Sequence, residues 1–477
     1  MRFGEILSKM PKKITFRAVL LVVAVLYVVG FLMSGQLFQL STNWFTQWMS
    51  GIFRLMDSDG FFNVWSGQTP GTHYLYFLTW KPAQAFADNP ADLSLVFSLL
   101  WFIVTLGALF LGTYLFYKII ERLWGETRAT ILATVYLVLS LTFEWYVVID
   151  SISLAALLGA IYFSLKGSGK LGGIFLAVSA VIKPIGIVVL PVLLMSEFVT
   201  RKTRIRLLAA FIASSAAMIL PFAIGNFKIM MSSLNWQSGR PPWETVYSFG
   251  LWLLNKPIPH DPFFQDYSGI VQRDWGWAGI TPVHSVMTTP VPGYNPWYNT
   301  LFLVLMIVAI GGFLLFKRIR NERDLLWGGL YAIGMYFALF YGWSTQFFFW
   351  LAPFMLATLP LGITIVFKII GWLEYPLFYG LYLARIAPDL ASSIIGMPVS
   401  WTSNLTSAGP AGFWTMVLLR TFFIFGLNVV AWRKLPVREW RILARWRDFQ
   451  STLQANMPNF THPLLRVMND RRKENEQ

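Results

Sequence analysis

Eight apolar runs, near 17–36, 93–117, 129–148, 207–224, 298–316, 324–342, 347–367 and 412–432, are each long enough to cross the hydrocarbon core of a bilayer. That core is about 30 Å thick. A chain built this way must satisfy its backbone N–H and C=O groups internally, because lipid offers them no partner. Continuous apolar runs, rather than alternating ones, select helices over a barrel. Shorter candidates lie near 152–165 and 370–387, and the stretch 171–198 is broken at Lys183-Pro184. Proline breaks a helix and a lysine at midspan is costly, so this stretch reads as a short helical hairpin. The expected class is an all-α polytopic membrane protein with roughly twelve segments. Composition agrees: 13% of the residues are charged, against about 25% in soluble domains.

The net charge of +15 by itself suggests a polyanionic partner, but its distribution gives another origin. With the N-terminus placed inside, 29 of the 38 Lys and Arg residues fall in the cytoplasmic pieces, Lys368 among them, and 8 fall outside, with Arg420 inside the last span. Such a bias orients membrane proteins. It places both termini in the cytoplasm and argues against nucleic acid. Residues 1–16 are then a cytoplasmic N-terminus ahead of a retained first helix, 17–432 the transmembrane domain, and 433–477 a basic amphipathic tail on the cytoplasmic surface. Two long segments, 41–92 and 225–297, remain outside; both are rich in Trp, Tyr, Pro and Gly. Segments of this length without regular structure usually serve function. A short interfacial helix is expected at 42–55, and the chain has no cysteine.

Candidate chemistry follows from charges in apolar surroundings. Asp57-Ser58-Asp59 is expected in the loop after the first span, where a carboxylate can accept a hydroxyl proton; its sequence also suits a plain acidic turn. Tyr74 is among the aromatic residues that could shape a pocket beside the pair. Lys183 reads either as a snorkelling side chain or as a phosphate ligand. Arg420 inside a span and Arg385 at the end of the previous one are suited to phosphate, or to pairing with Glu144 or Glu374. Gln346 and Trp350 open a span from outside, suited to a sugar or to an aromatic belt. His73, His260, His284 and His462 show no metal-ligand spacing, and no metal is expected.

In their order these features resemble the GT-C superfamily of integral-membrane glycosyltransferases, closest to the polyprenyl-phosphate-mannose-dependent branch. The acidic pair Asp57-Ser58-Asp59, the step from Gly67 to Pro70, Trp80-Lys81-Pro82, Lys183-Pro184 and the run Gln346 to Pro353 carry the likeness, with Arg240 and Ser248 matching a looser family segment. Phe347 departs from it, standing where the family has tyrosine. The resemblance implies inverting transfer of a sugar, mannose first, from a polyprenyl or dolichyl monophosphate carrier to an acceptor hydroxyl on the extracytoplasmic or lumenal side. Asp57 would be the base, with Asp59 orienting the acceptor or sharing that role. Lys183, Arg385 and Arg420 would hold the carrier phosphate, and Gln346, Trp350, Arg240 and Tyr74 the sugar or acceptor. The acceptor would be a glycan, a lipid or a protein, and no cofactor is implied. The rival expectation is a secondary transporter or lipid flippase, for which broken helices and buried charges are also apt.

Overall fold

The computed structural model describes residues 16–33, 44–66, 68–141, 149–239, 245, 247, 249–250, 297–340, 347–374 and 409–438. Every regular element among them is helical. The helices are α1 (Phe16–Met33), α2 (Trp44–Asp59), α3 (Lys81–Phe86), α4 (Pro90–Trp124), α5 (Glu126–Leu141), α6 (Asp150–Leu165) and α7 (Gly169–Ile182). There follow α8 (Leu190–Met195), α9 (Arg201–Gly239), α10 (Trp297–Phe316), α11 (Glu322–Leu339), α12 (Phe348–Thr358), α13 (Leu361–Trp372) and α14 (Gly409–Lys434). Among the described residues four helices, α4, α9, α10 and α14, are long and apolar enough to cross a membrane. The chain is thus a helical protein with the features of a membrane protein.

Local chemistry sets the helix ends. The Asn89 side chain accepts the N–H groups of Ala91 and Asp92, and Pro90 opens α4, where its missing N–H costs nothing. Gly125, at φ 87°, lets the chain turn sharply from α4 into α5. Within α9, Asn226 leaves helical geometry, and its side chain accepts the N–H of Ile229 to start the helix afresh. The expected outer segment 225–297 therefore begins as helix as far as Gly239.

The basic segments converge on one end of the bundle. There Arg122 grips Glu322 through three hydrogen bonds of 2.6–3.0 Å, and Arg318 holds Glu197 at 2.6 and 2.8 Å. Lys317 donates to the carbonyl of Leu435, and its strand-like bridge to Val437 ties down the chain after α14. The rest of the expected tail lies outside the described residues. Segment 169–195 runs out from this end and back: Gly169 packs on the Thr203 carbonyl, while Gly186 packs on Ser179 near the turn. The 14 residues of α7 rise about 21 Å, so the turn at Lys183 lies well away from the basic end. The expected hairpin is present.

Two expectations are corrected. The run 347–367 is not one span: the chain breaks at Leu359–Pro360 into α12 and α13, which pack on each other as a second hairpin. Proline cannot continue a helix, and here it starts a new one. As a result Lys368 does not join the basic segments at their end of the bundle. Its ammonium donates to the Leu139 carbonyl at 2.9 Å and lies 4.7 Å from the Phe348 ring, at the far end of the bundle. Segment 370–387 lies outside the described residues beyond Glu374.

Candidate active site

Asp57 and Asp59 occupy the last turn of α2, not a loop. The expected interfacial helix at 42–55 is longer by one turn and carries the acidic pair on its end. Phe53 of α2 packs edge-on against Phe97 of α4 and near Trp80, which seats the helix on the outer half of α4. The Asp57 carboxylate then accepts four hydrogen bonds: from Tyr76 at 2.5 Å and from Trp80, Lys81 and Gln84, each at 2.6 Å. Burial works to raise its pKa, but the bonds from Lys81, Tyr76 and Trp80 and the lysine's charge outweigh burial and hold it below the usual carboxylate range. Such a group fastens the α2 end to the π-turn at Tyr76–Trp80 and is a weak proton acceptor. Asp59, half-buried, accepts at its backbone carbonyl from Asn63 at 2.7 Å.

The segment between these anchors is packed with aromatic rings. His73 is buried, its Nε2 is 2.9 Å from the Ser66 hydroxyl, and burial pushes its pKa down to about 3. The Tyr74 hydroxyl donates to the carbonyl of Met218 on α9, and Phe222 packs against His73, Tyr74, Phe61 and Phe62. Tyr74 is thus spent on holding the loop to α9. The loop also rests on the hairpin turn: the Thr69 hydroxyl donates to the Ile182 carbonyl, and Gly71 touches the Val181 backbone so closely that any side chain there would collide. On the outer side Phe77, Leu78 and Phe86 are exposed, which suits contact with lipid.

Beneath that contact lies a centre that the sequence analysis did not contain. Lys183 donates to both oxygens of Asp150 at 2.6 and 2.7 Å, and the Trp350 indole N–H donates to the same carboxylate at 2.7 Å. The Asp150 side chain is 1% exposed and that of Lys183 15%. Lys183 further lies 4.8 Å from the centroid of Phe347, next to the Phe348 ring that carries Lys368. Two lysines therefore flank adjacent rings at the start of α12. Asp150 went unnoticed because it is one carboxylate at the edge of a short apolar run. Its position two residues before that run, ahead of fifteen apolar or small residues from Ser151 to Leu165, was the available signal.

Arg420 is held elsewhere. Its guanidinium pairs with Glu374, both side chains being almost wholly buried, one of the two structural pairings open to it from the sequence. Gln346, Arg385, Arg240 and Glu144 lie outside the described residues. Of the expected site, the structure brings Lys183 and Trp350 together, keeps Asp57 on the end of α2 and Tyr74 in the segment that follows it, and places Arg420 in a separate buried pair. No family model, no curated protein and no solved structure matches the chain.

Proposed function

We propose that the protein is a membrane glycosyltransferase of the GT-C kind, moving a sugar, mannose first, from a polyprenyl monophosphate carrier to an acceptor hydroxyl at the end of the bundle opposite the basic loops. The observation that carries this is the meeting of Lys183 and Trp350 on the buried carboxylate of Asp150, roofed by the segment around Thr69 and Gly71 that follows the helix bearing the acidic pair. Transfer of this kind needs little from a protein besides placement, charge stabilisation and a proton acceptor. The acceptor oxygen attacks the anomeric carbon, the bond to the carrier phosphate breaks with inversion, and the hydroxyl proton passes to a carboxylate. Lys183, with Lys368 nearby, faces the departing phosphate, and Trp350 and Phe347 face the sugar. Asp150 is the positioning residue that sets both the lysine and the indole. The acidic pair divides the labour: Asp57, with four donors, locks the helix end, and Asp59 takes the proton. The site is extracytoplasmic or lumenal, with both termini cytoplasmic, and the chemistry as drawn uses no metal.

The test is transfer by purified protein in nanodiscs, offered polyprenyl-phosphate mannose, glucose and arabinose in turn. Asp59→Asn is expected to lower kcat by about 10²–10⁴ with little change in KM for the donor. Lys183→Ala is expected to weaken the carrier lipid more than a water-soluble acceptor analogue. The two hairpins, α7–α8 and α12–α13, which meet on the buried carboxylate of Asp150 through Lys183 and Trp350, favour a transporter as the second reading. Absence of transfer from every donor, together with solute flux into liposomes free of carrier lipid, would establish that alternative.

A further inference from the structure

Lys183 is the first residue beyond α7 and has extended geometry, φ −149° and ψ 120°, the region to which a following proline confines it. That sets the direction of its stem. Its position depends on the end of α7, where the last carbonyls have no partner within the helix and Pro184 has no N–H to offer them.

Two hydroxyls from other elements meet these carbonyls. The Ser179 carbonyl accepts the Lys183 backbone N–H at 2.9 Å and, at 2.7 Å, the hydroxyl of Ser153 from α6. The Ile182 carbonyl, directly before Lys183, accepts the Thr69 hydroxyl from the outer segment. Ser153 and Ser179 are wholly buried, and their hydroxyl oxygens lie 3.2 Å apart. Gly186 makes room for this contact: a Cβ there would stand 2.3 Å from the Ser179 hydroxyl oxygen.

The spacing repeats that of the ion pair. Ser153 follows Asp150 by three residues on α6, and Ser179 precedes Lys183 by four on α7, each about one turn. Two rungs thus join the helices, a charged one between Asp150 and Lys183 and a hydroxyl one a turn away. The ion pair alone cannot fix the register, because the lysine carries its charge on a flexible stem. A serine bonded to a backbone carbonyl acts on the main chain itself.

We propose that Ser153 and Thr69 are positioning residues for the Lys183 ammonium. They pin the end of α7 from α6 and from the outer segment, so that the ammonium stands where a departing phosphate needs it. The catalytic meaning rests on the transfer proposed above; the pinning does not, and each has its own measurement.

The first is reductive methylation of the full chain in nanodiscs, with the yield at each lysine read by mass spectrometry. An ammonium held on a buried carboxylate reacts slowly, because the reagent needs the neutral amine. Lys317, buried at the basic end on the Leu435 carbonyl, is the internal control. Ser153→Ala leaves the Ser179 carbonyl its bond from Lys183, so the chain keeps its fold. This variant is expected to raise labelling of Lys183 about tenfold, the scale of one lost hydrogen bond, and Thr69→Val to raise it by a smaller factor, with Lys317 unchanged in both. Unchanged labelling of Lys183 in the two variants, or equal rises at Lys183 and Lys317, would overturn the assignment.

The second measurement is transfer from the carrier lipid. Ser153→Ala is expected to lower kcat about tenfold to a hundredfold, with KM for the acceptor unchanged. Faster labelling of Lys183 with kcat at the wild-type level would overturn the catalytic meaning. Faster labelling in a chain whose wild type transfers no sugar would uphold the pinning and overturn only the transfer.

Discussion

Two lysine–aspartate pairs of equal length sit away from the basic end of this molecule and do different work. Lys81 and Asp57 meet at 2.6 Å with side chains 46% and 24% exposed, whereas Lys183 and Asp150 meet at 2.6 Å with 15% and 1%. In the first, solvent screens the charges, and neutral donors from Tyr76, Trp80 and Gln84 make the carboxylate a latch. In the second, water is excluded, so each partner depends on the other. A screened pair can be broken cheaply; a buried one leaves an uncompensated charge. Distance alone does not separate a latch from a centre. Burial does.

The sharpest way to break the contrast is Asp150→Leu, which strands Lys183; a loss of about 3–5 kcal/mol is expected, read by thermal unfolding in detergent. Adding Lys183→Met should restore much of that stability while leaving transfer abolished. A double variant as unstable as the single one would show that the pair is not coupled. Next comes Trp350→Phe, which removes the indole donor to Asp150 and is expected to cost about 1–3 kcal/mol, with donor KM rising more than acceptor KM in a two-substrate assay.

Asp57→Asn should cost only about 1 kcal/mol, since its pair is half in water, and added salt should shrink the effect further. Unfolding at two ionic strengths checks this, and a loss as large as that of Asp150→Leu would erase the distinction between the pairs.

The last effect, felt only at acid pH, is on the loop between the latch and the hairpin. His73 stays neutral when packed down to about pH 3, whereas an opened loop protonates it from 6.5. The packed form is therefore fully favoured above pH 6.5 and weakens as the pH falls toward 3, because only the opened form takes up the proton. Asp57, lowered in the fold, adds a further loss as the pH falls below its ordinary 3.8. Amide exchange across 61–76 should show opening that steepens over the first window in wild type and not in His73→Asn. An identical pH slope in that variant would exclude the histidine as its source.

Much of this could be read before any fold was known. The apolar runs placed α4, α9, α10 and α14 because hydrocarbon tolerates only helices with satisfied backbones. The lysine at a proline break foretold the hairpin turn at Lys183, and the distribution of basic residues anticipated the segments that now share one end. The break at Leu359–Pro360 escaped because leucines surround the proline and hydropathy is blind to direction. Its consequence, the move of Lys368 to the opposite end, escaped with it.

What the chain alone determined is a set of apolar helices, the break at Lys183-Pro184 and the gathering of the basic segments, all consequences of near-neighbour composition and the cost of bare polar groups in lipid. What tertiary structure alone decided is which carboxylate each cation meets. Asp150 takes Lys183 from 33 residues away and Trp350 from 200, and Arg420 takes Glu374 from 46. Such pairings depend on how helices stack, and a buried charge accepts whichever partner the packing brings within reach.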